Sequence, residues 1–195
     1  MSSKYVFADS QHSKELERLQ AIEKVFDPAS RRRISTTGLT TGWQCLEVGA
    51  GAGSMMRWMV DVVGETGKIV AVDIDTRFVA NAALPNLEVC EADIRDISWS
   101  NNSFDLIHAR YVLIHIADFQ SALSKMLNSL KPGGWLVIEE PDFSAARALI
   151  GEKEECESVN KVNRAILRMF TDRGMDCSLG VIAFSNLLKY SSSSE

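Results

Sequence analysis

The sequence predicts an α/β protein whose core is a doubly wound, mainly parallel sheet. Short apolar runs alternate with stretches in which apolar residues recur every three or four positions, as they do on one face of a helix. A cluster of glycines follows the first apolar run and precedes a helical stretch. Because parallel strands are joined by crossover helices, this alternation predicts right-handed units with helices on both faces of the sheet.

The N-terminal part contains one predicted helix, over residues 13–26. Asp27-Pro28 is expected to close it, because proline lacks a backbone N–H and disfavours helix at the preceding residue. Residues 29–42 are rich in Ser, Thr, Arg and Gly and are predicted to form a loop. Four apolar residues are expected to share the buried face of the helix: Leu16, Leu19, Ile22 and Phe26.

Five strands and their connecting helices are predicted next. The strands have the ranges 44–48, 68–72, 87–90, 104–108 and 135–138. The helices have the ranges 54–63, 76–83 and 119–130. Glycines at 64 and 67 end the first helix, and residues 131–134, with one proline and two glycines, end the third.

The C-terminal part is predicted to be mainly helical over residues 144–171 and loop-like over 174–180. Residues 181–190 would form one short strand or a helix, and a serine tract occupies 191–194. A length of 195 residues favours a single domain. Its expected parts are a helix and linker at 1–42, a core at 43–142 and an extension at 143–195.

Composition and charge exclude several classes of function. The formal net charge of −5 gives no overall attraction to nucleic acid or to anionic lipid. No apolar stretch is long enough to span a membrane, and the start lacks the apolar region of a signal peptide, so a cytoplasmic protein is expected. The four cysteines and three histidines fit no metal-ligand spacing, which predicts reduced thiols and no metal site.

The glycine cluster predicts a ligand site. Gly49, Gly51 and Gly53 lie between a strand and a helix, where glycine permits a tight turn and a close approach of the backbone to a ligand. Asp73 ends the second strand, twenty residues after Gly53, and a carboxylate there can bond both hydroxyls of a ribose. An adenosine-containing ligand is therefore expected.

Two further acids strengthen this interpretation. Glu47 lies two residues before Gly49, where its carboxylate can receive the amine of an amino-acid group directly or through water. Asp93 follows the third strand and can accept a hydrogen bond from the exocyclic amine of adenine. Three carboxylates at successive strand ends predict one extended site, although each acid by itself is typical of a helix cap or a solvated turn.

The ordered motifs resemble those of class I, Rossmann-like S-adenosylmethionine-dependent methyltransferases over about residues 40–142. The motifs are LEVGAGAG at 46–53, VDID at 72–75, EADI at 91–94, FDLI at 104–107 and LKPGG at 130–134. The resemblance implies the strand order 3-2-1-4-5, S-adenosyl-L-methionine as cofactor and methyl transfer as the activity. It also implies that the first helix caps the cofactor, with Tyr5 or residues 31–33 touching it.

The resemblance also assigns cofactor-binding residues. The glycine loop would bracket the methionine part, Asp73 would bind the ribose, Ile74 would lie on the adenine face and Asp93 would bind the adenine amine. Ala109 and Arg110, after the fourth strand, would border the sulfonium. The expected cofactor contacts are Glu47, Gly49, Ala50, Gly51, Gly53, Asp73, Ile74, Ala92, Asp93, Ile94, Ala109 and Arg110. Family members usually add two strands after the fifth, so the resemblance implies that the C-terminal part of this chain is short.

The acceptor is expected to be a small molecule beyond the carboxyl ends of the fourth and fifth strands. His115 is a candidate general base, although flanking isoleucines also suit a packed histidine. Glu140 ends the fifth strand and faces either the crevice or solvent. Arg110 attracts an anionic group or pairs with Asp142.

Other functions remain open. A nicotinamide-dependent oxidoreductase is disfavoured because Ser54 replaces the last glycine of the dinucleotide pattern, and a phosphate loop is disfavoured by the spacing at 64–68. A non-catalytic S-adenosylmethionine-binding homologue is compatible with every motif. A homodimer is possible if the fifth strand is an exposed sheet edge.

Overall fold

The computed structural model describes residues 12–178. These residues form two compact units: 12–110 with 120–138, the first unit, and 111–119 with 139–178, the second unit. The expectations for Tyr5 and for residues 181–194 lie outside the described residues, and the single-domain organisation stays a prediction.

The sheet has five strands: β1 (Gln44–Val48), β2 (Lys68–Asp73), β3 (Leu87–Glu91), β4 (Phe104–Arg110) and β5 (Leu130–Glu139). Their order is β3-β2-β1-β4-β5, as predicted. β1 pairs in parallel with β2 and β4, and β2 pairs in parallel with β3. The Ser103 N–H donates to the Ser129 carbonyl and the Tyr111 N–H donates to the Glu139 carbonyl. Because both partners advance together along the chain, β5 is also parallel to β4.

α2 (Ser54–Val63) has the predicted bounds. Left-handed glycines lie on both sides of it, Gly53 with φ 90° and Gly64 with φ 63°, and such residues end a helix without the steric cost of a side chain. Its apolar face packs on the sheet, where Met56 and Met59 are buried together with Cys45 and Ile69. This contact fixes the glycine loop at the carboxyl end of β1.

α1 (His12–Thr36) extends ten residues beyond the predicted end, so the prediction that Pro28 closes the helix is wrong. A proline inside a helix costs about 3 kcal/mol, because it removes one hydrogen bond and clashes with the preceding turn. Buried contacts on both sides of the proline offset this cost, since Asp27 and Ser30 both accept hydrogen bonds from Arg110 and Ile34 enters the core.

The buried face of α1 is only in part the predicted apolar one. Three of the four apolar residues are half-buried, but Phe26 is 38% exposed, whereas Asp27, Ser30 and Ile34 are buried. The C-terminal half of the helix therefore packs on the rest of the first unit through a largely polar stripe.

Two connections differ from the predictions. The predicted helix over 76–83 is wrong, because residues 77–81 form turns instead, with the Asp75 carboxylate bound to the Arg77 backbone and Pro85 shortly after. α3 (Phe119–Ser129) ends where expected, but β5 starts at Leu130 and includes the predicted helix stop. Lys131 is held beside β4 by an ion pair with Asp105 at 2.8 Å.

The second unit contains a short 3₁₀-helix, Leu113–His115, and α4 (Lys153–Thr171). The prediction that a helix begins at Ser144 is wrong, because Asp142 caps a turn at Ser144 and the amide of Asn160 binds the backbone of Ala148. Within residues 12–178, no helix is both long and apolar enough to cross a membrane. All four cysteines are free thiols in the structure, and Cys45 and Cys177 are buried.

Candidate functional site

The glycine loop joins β1 to α2 with three left-handed glycines. Gly49 has φ 77°, Gly51 φ 56° and Gly53 φ 90°, a conformation that side chains disfavour by about 1–2 kcal/mol. A Cβ placed on Gly51 would meet only the Leu19 side chain, at 3.6 Å, so the surface above Gly51 is open enough for close approach. Ala50 is buried and its carbonyl accepts the Gly53 N–H.

Asp73 ties the end of β2 to this loop. One carboxylate oxygen accepts the Gly51 N–H at 2.9 Å and the other accepts the Asp75 N–H at 3.0 Å. Burial raises the pKa of Asp73, and these backbone hydrogen bonds oppose the rise. Each oxygen keeps a second lone pair, so the carboxylate can still accept hydroxyl donors. Ile74 follows with 44% of its surface exposed.

Asp93 lies beyond the end of β3 and is engaged by a neighbouring arginine. Its two oxygens bind the Arg95 guanidinium at 3.0 and 2.6 Å, which lowers the pKa of Asp93. Ala92 donates its N–H to the Asp73 carbonyl, and Ile94 is buried. A ligand amine at Asp93 would therefore share a carboxylate with Arg95, and the adenine contact stays a prediction.

Glu47 is buried at the centre of the sheet and bonded to His108. The two residues are direct partners in the β1–β4 register, and Glu47 Oε2 lies 2.7 Å from His108 Nδ1. This partner could not be predicted from the sequence, because His108 lies 61 positions away on another strand and the register between the two strands is not known in advance.

Arg110 binds α1 and not Asp142. Its guanidinium donates to Asp27 at 2.8 Å and to Ser30 at 2.9 Å, while the Asp142 carboxylate accepts from Ser144. Ala109, which precedes Arg110, is fully buried. The charge of Arg110 is therefore already balanced within the first unit.

α1 also contacts the start of α2. Glu23 accepts the Ser54 N–H at 3.0 Å, which satisfies one of the free donors at the α2 N-terminus. The residue before α2 is Gly53, which has no side chain to cap the helix, so Glu23 supplies the cap from a distant segment. The first helix thus covers part of the glycine loop.

The two candidate catalytic residues lie in the second unit. The Glu140 carboxylate accepts the backbone N–H groups of Val112, Leu113 and Ile114 at 2.9, 2.8 and 3.3 Å. Burial raises the pKa of Glu140 to about 7. The His115 ring lies 5.4 Å from the Phe170 ring, centroid to centroid, within an aromatic cluster. A catalytic role for either residue stays a prediction.

Comparison with known proteins finds similarity over the part of the chain that contains the glycine loop. Residues 46–138 match the family described as methyltransferase domain. The ubiquinone/menaquinone biosynthesis C-methyltransferase of Pseudomonas savastanoi pv. phaseolicola is 30% identical over 118 residues, which are 56% of this chain and 46% of that protein. The chain spans about half the length of the curated relatives it matches.

Solved structures share the fold. An S-adenosylmethionine-dependent methyltransferase from Methanococcus maripaludis, described as putative, has a TM-score of 0.60 and 22% identity over 91% of this chain and 83% of that one. The Haemonchus contortus phosphoethanolamine N-methyltransferase 2, solved with phosphomonomethylethanolamine and S-adenosylhomocysteine, has a TM-score of 0.59 and 19% identity over 89% and 44%. Over residues 46–138 the chain is thus similar in sequence to methyltransferase domains, and its fold is shared with S-adenosylmethionine-dependent methyltransferases.

Proposed function

We propose that this chain transfers a methyl group from S-adenosyl-L-methionine to an oxygen, nitrogen or carbon of a small molecule by direct in-line displacement. The observation that carries the proposal is the glycine loop, with Asp73 bound to the Gly51 amide and Glu47 buried two residues before Gly49. Such a loop provides backbone donors and close approach, while the carboxylates provide acceptors for the ammonium and the ribose hydroxyls.

The residues of the loop fit this cofactor. Ser54 Oγ is buried and finds no hydrogen-bond partner among residues 12–178, so a polar ligand at the loop would supply one. The open space above Gly51 and the exposed apolar surface of Ile74 suit a backbone-contacting chain and an adenine face. We assign the ammonium to Glu47, the ribose to Asp73, and the adenine to Ile74 and the stretch Ala92-Asp93-Ile94.

The cofactor, when bound, supplies a methyl group on a sulfonium that is already a good leaving group. The protein then needs to hold the reacting atoms in line, exclude water and accept a proton from a hydroxyl or ammonium acceptor. Ala109 and Arg110 are assigned to the border of the sulfonium. His115 and Glu140 remain the candidates for the proton acceptor.

A small-molecule acceptor is proposed from the relatives and from charge. The relatives named above are a C-methyltransferase of quinone biosynthesis and an N-methyltransferase of phosphoethanolamine. A net charge of −5 disfavours a nucleic-acid acceptor, which requires a basic surface. A homodimer and a cytoplasmic location are part of the same proposal.

Isothermal titration with S-adenosylhomocysteine tests the cofactor assignment. Wild-type protein should bind, and Asp73→Asn and Gly51→Ala should each weaken binding about tenfold or more, since the first removes charge and the second places a methyl group where the ligand approaches. Gly133→Ala is the matched control, because Gly133 is also left-handed, with φ 78°, and has nothing within 4 Å of an added Cβ. Heat with NADH and none with S-adenosylhomocysteine would overturn the assignment.

A turnover assay tests the reaction itself. Wild-type protein, labelled S-adenosylmethionine and a panel of small acceptors or a cell extract should yield a methylated product. Cofactor binding without any methylated product would favour the non-catalytic alternative. His115→Ala and Glu140→Gln, assayed for turnover with cofactor affinity as the control, would show which residue acts in the chemical step.

A further inference from the structure

A buried pair of polar side chains lies between the two central strands of the sheet. The side chains of His108 and Glu47 are 0% and 4% exposed, and 2.7 Å separates Nδ1 from Oε2. Two positions earlier in the same two strands, and so on the same face of the sheet, Cys45 and Leu106 are partners and both are fully buried. The pair is therefore shielded from bulk water at a depth where polar groups need partners.

The pair lies in the two strands that lead to the predicted cofactor site. Glu47 lies in β1 two residues before Gly49, and His108 precedes Ala109 and Arg110 in β4. The Arg110 guanidinium donates to Asp27 and Ser30, so its ion pair is with Asp27 and not with Glu47. His108 is the side chain that bonds the Glu47 carboxylate at Oε2.

We infer that His108 is a positioning residue for the ammonium end of the cofactor and acts through Glu47. An imidazole that donates its Nδ1 proton to Oε2 holds the carboxylate in one orientation and leaves the negative charge to be shared with a cation at Oε1. The inference rests on the proposed cofactor site, since the ammonium is the group that Glu47 would receive. His108 itself need not touch the cofactor.

The expected effect is confined to one end of the ligand. Without the imidazole donor, the buried Glu47 side chain loses its orienting bond, and its contact with the ammonium weakens. A hydrogen bond to a charged group corresponds to about a tenfold change in affinity. The adenosine end is bound by other residues, Asp73 and Ile74, so its affinity should not change.

The test compares two ligands that share the adenosine and thioether but differ in the amino-acid end: S-adenosylhomocysteine and 5′-methylthioadenosine. Affinities are measured by isothermal titration for wild type and for His108→Leu, His108→Gln and His108→Asn. His108→Leu should lower the affinity for S-adenosylhomocysteine about tenfold and change the affinity for 5′-methylthioadenosine less than about twofold. His108→Asn, whose amide nitrogen lies near the Nδ1 position, should restore the ratio of the two affinities.

A further background separates action through Glu47 from a general effect on the fold. In Glu47→Gln, the added His108→Leu change should leave the ratio of affinities where Glu47→Gln alone puts it. If His108→Leu fails to fold, His108→Gln takes its place, because it keeps a polar side chain but moves the donor away from the Nδ1 position. An equal loss for both ligands, or an unchanged ratio in both variants, would overturn the inference.

The same data distinguish this inference from the proposed function. Wild-type protein that binds neither ligand would refute the cofactor site and the positioning role with it. Wild-type protein that binds both, with a ratio unaffected by either His108 variant, would refute only the positioning role.

Discussion

Glu140 should make the folded state less stable as the pH rises from about 5 to about 8. Burial raises the pKa of this carboxyl from 4.5 to about 7, although three backbone N–H groups bind it. The folded state therefore favours the protonated acid. Its stabilising contribution is fully present below pH 4.5 and is lost as the pH rises through about 7. At about 1.4 kcal/mol for each pKa unit, the full effect is about 3 kcal/mol.

Urea unfolding measures this effect in wild type and in Glu140→Gln at about pH 5 and about pH 8. The wild-type free energy of unfolding should fall between these conditions by about 2–3 kcal/mol more than that of Glu140→Gln, which cannot titrate. Glu88→Gln is the control, because Glu88 is half exposed and its pKa is lowered by Lys68, so its contribution changes at more acidic pH. The same pH dependence in wild type and Glu140→Gln would refute the reasoning.

Two further predictions concern the first unit. Gly53→Ala should lower the free energy of unfolding by about 2–4 kcal/mol, because the residue is left-handed and an added Cβ would lie 2.8 Å from side chains of Val79 and Arg57. Gly133→Ala, which lacks such neighbours, should cost only about 1–2 kcal/mol in the same urea titration, and equal losses would contradict the steric argument. Arg110→Gln should remove the ion pair with Asp27 and destabilise α1 by about 3 kcal/mol, seen as faster amide hydrogen exchange in that helix but not in α2. Unchanged exchange in α1 would show that its other contacts suffice.

The sequence was informative where local chemistry decides the structure. The bounds of α2 were predicted correctly because glycines with left-handed backbones stand at both of its ends and interrupt the helical pattern. The strand order followed from ordered motifs that resemble one family. The carboxylates Glu47 and Asp73 were recognised because each lies at or next to a strand end beside the glycine loop.

The failures arise where distant contacts overcome local preference. Pro28 signals the end of a helix, yet α1 continues because Ser30 and Ile34 gain partners from segments far along the chain. The bonds of Glu47 to His108 and of Asp27 to Arg110 span 61 and 83 positions. Such partners depend on strand register and helix docking, which a single sequence does not reveal.

The polar stripe of α1 makes the length of that helix a structural constraint. Glu23 meets the start of α2 and Ile34 reaches the core, and their separation of eleven positions corresponds to a rise of about 16 Å. One inserted residue between Glu23 and Asp27 would rotate the preceding turns by about 100° and advance them by about 1.5 Å, which would separate Glu23 from Ser54 while Asp27 keeps Arg110. The spacing between these contacts along α1 therefore cannot change by one residue without the loss of one of them.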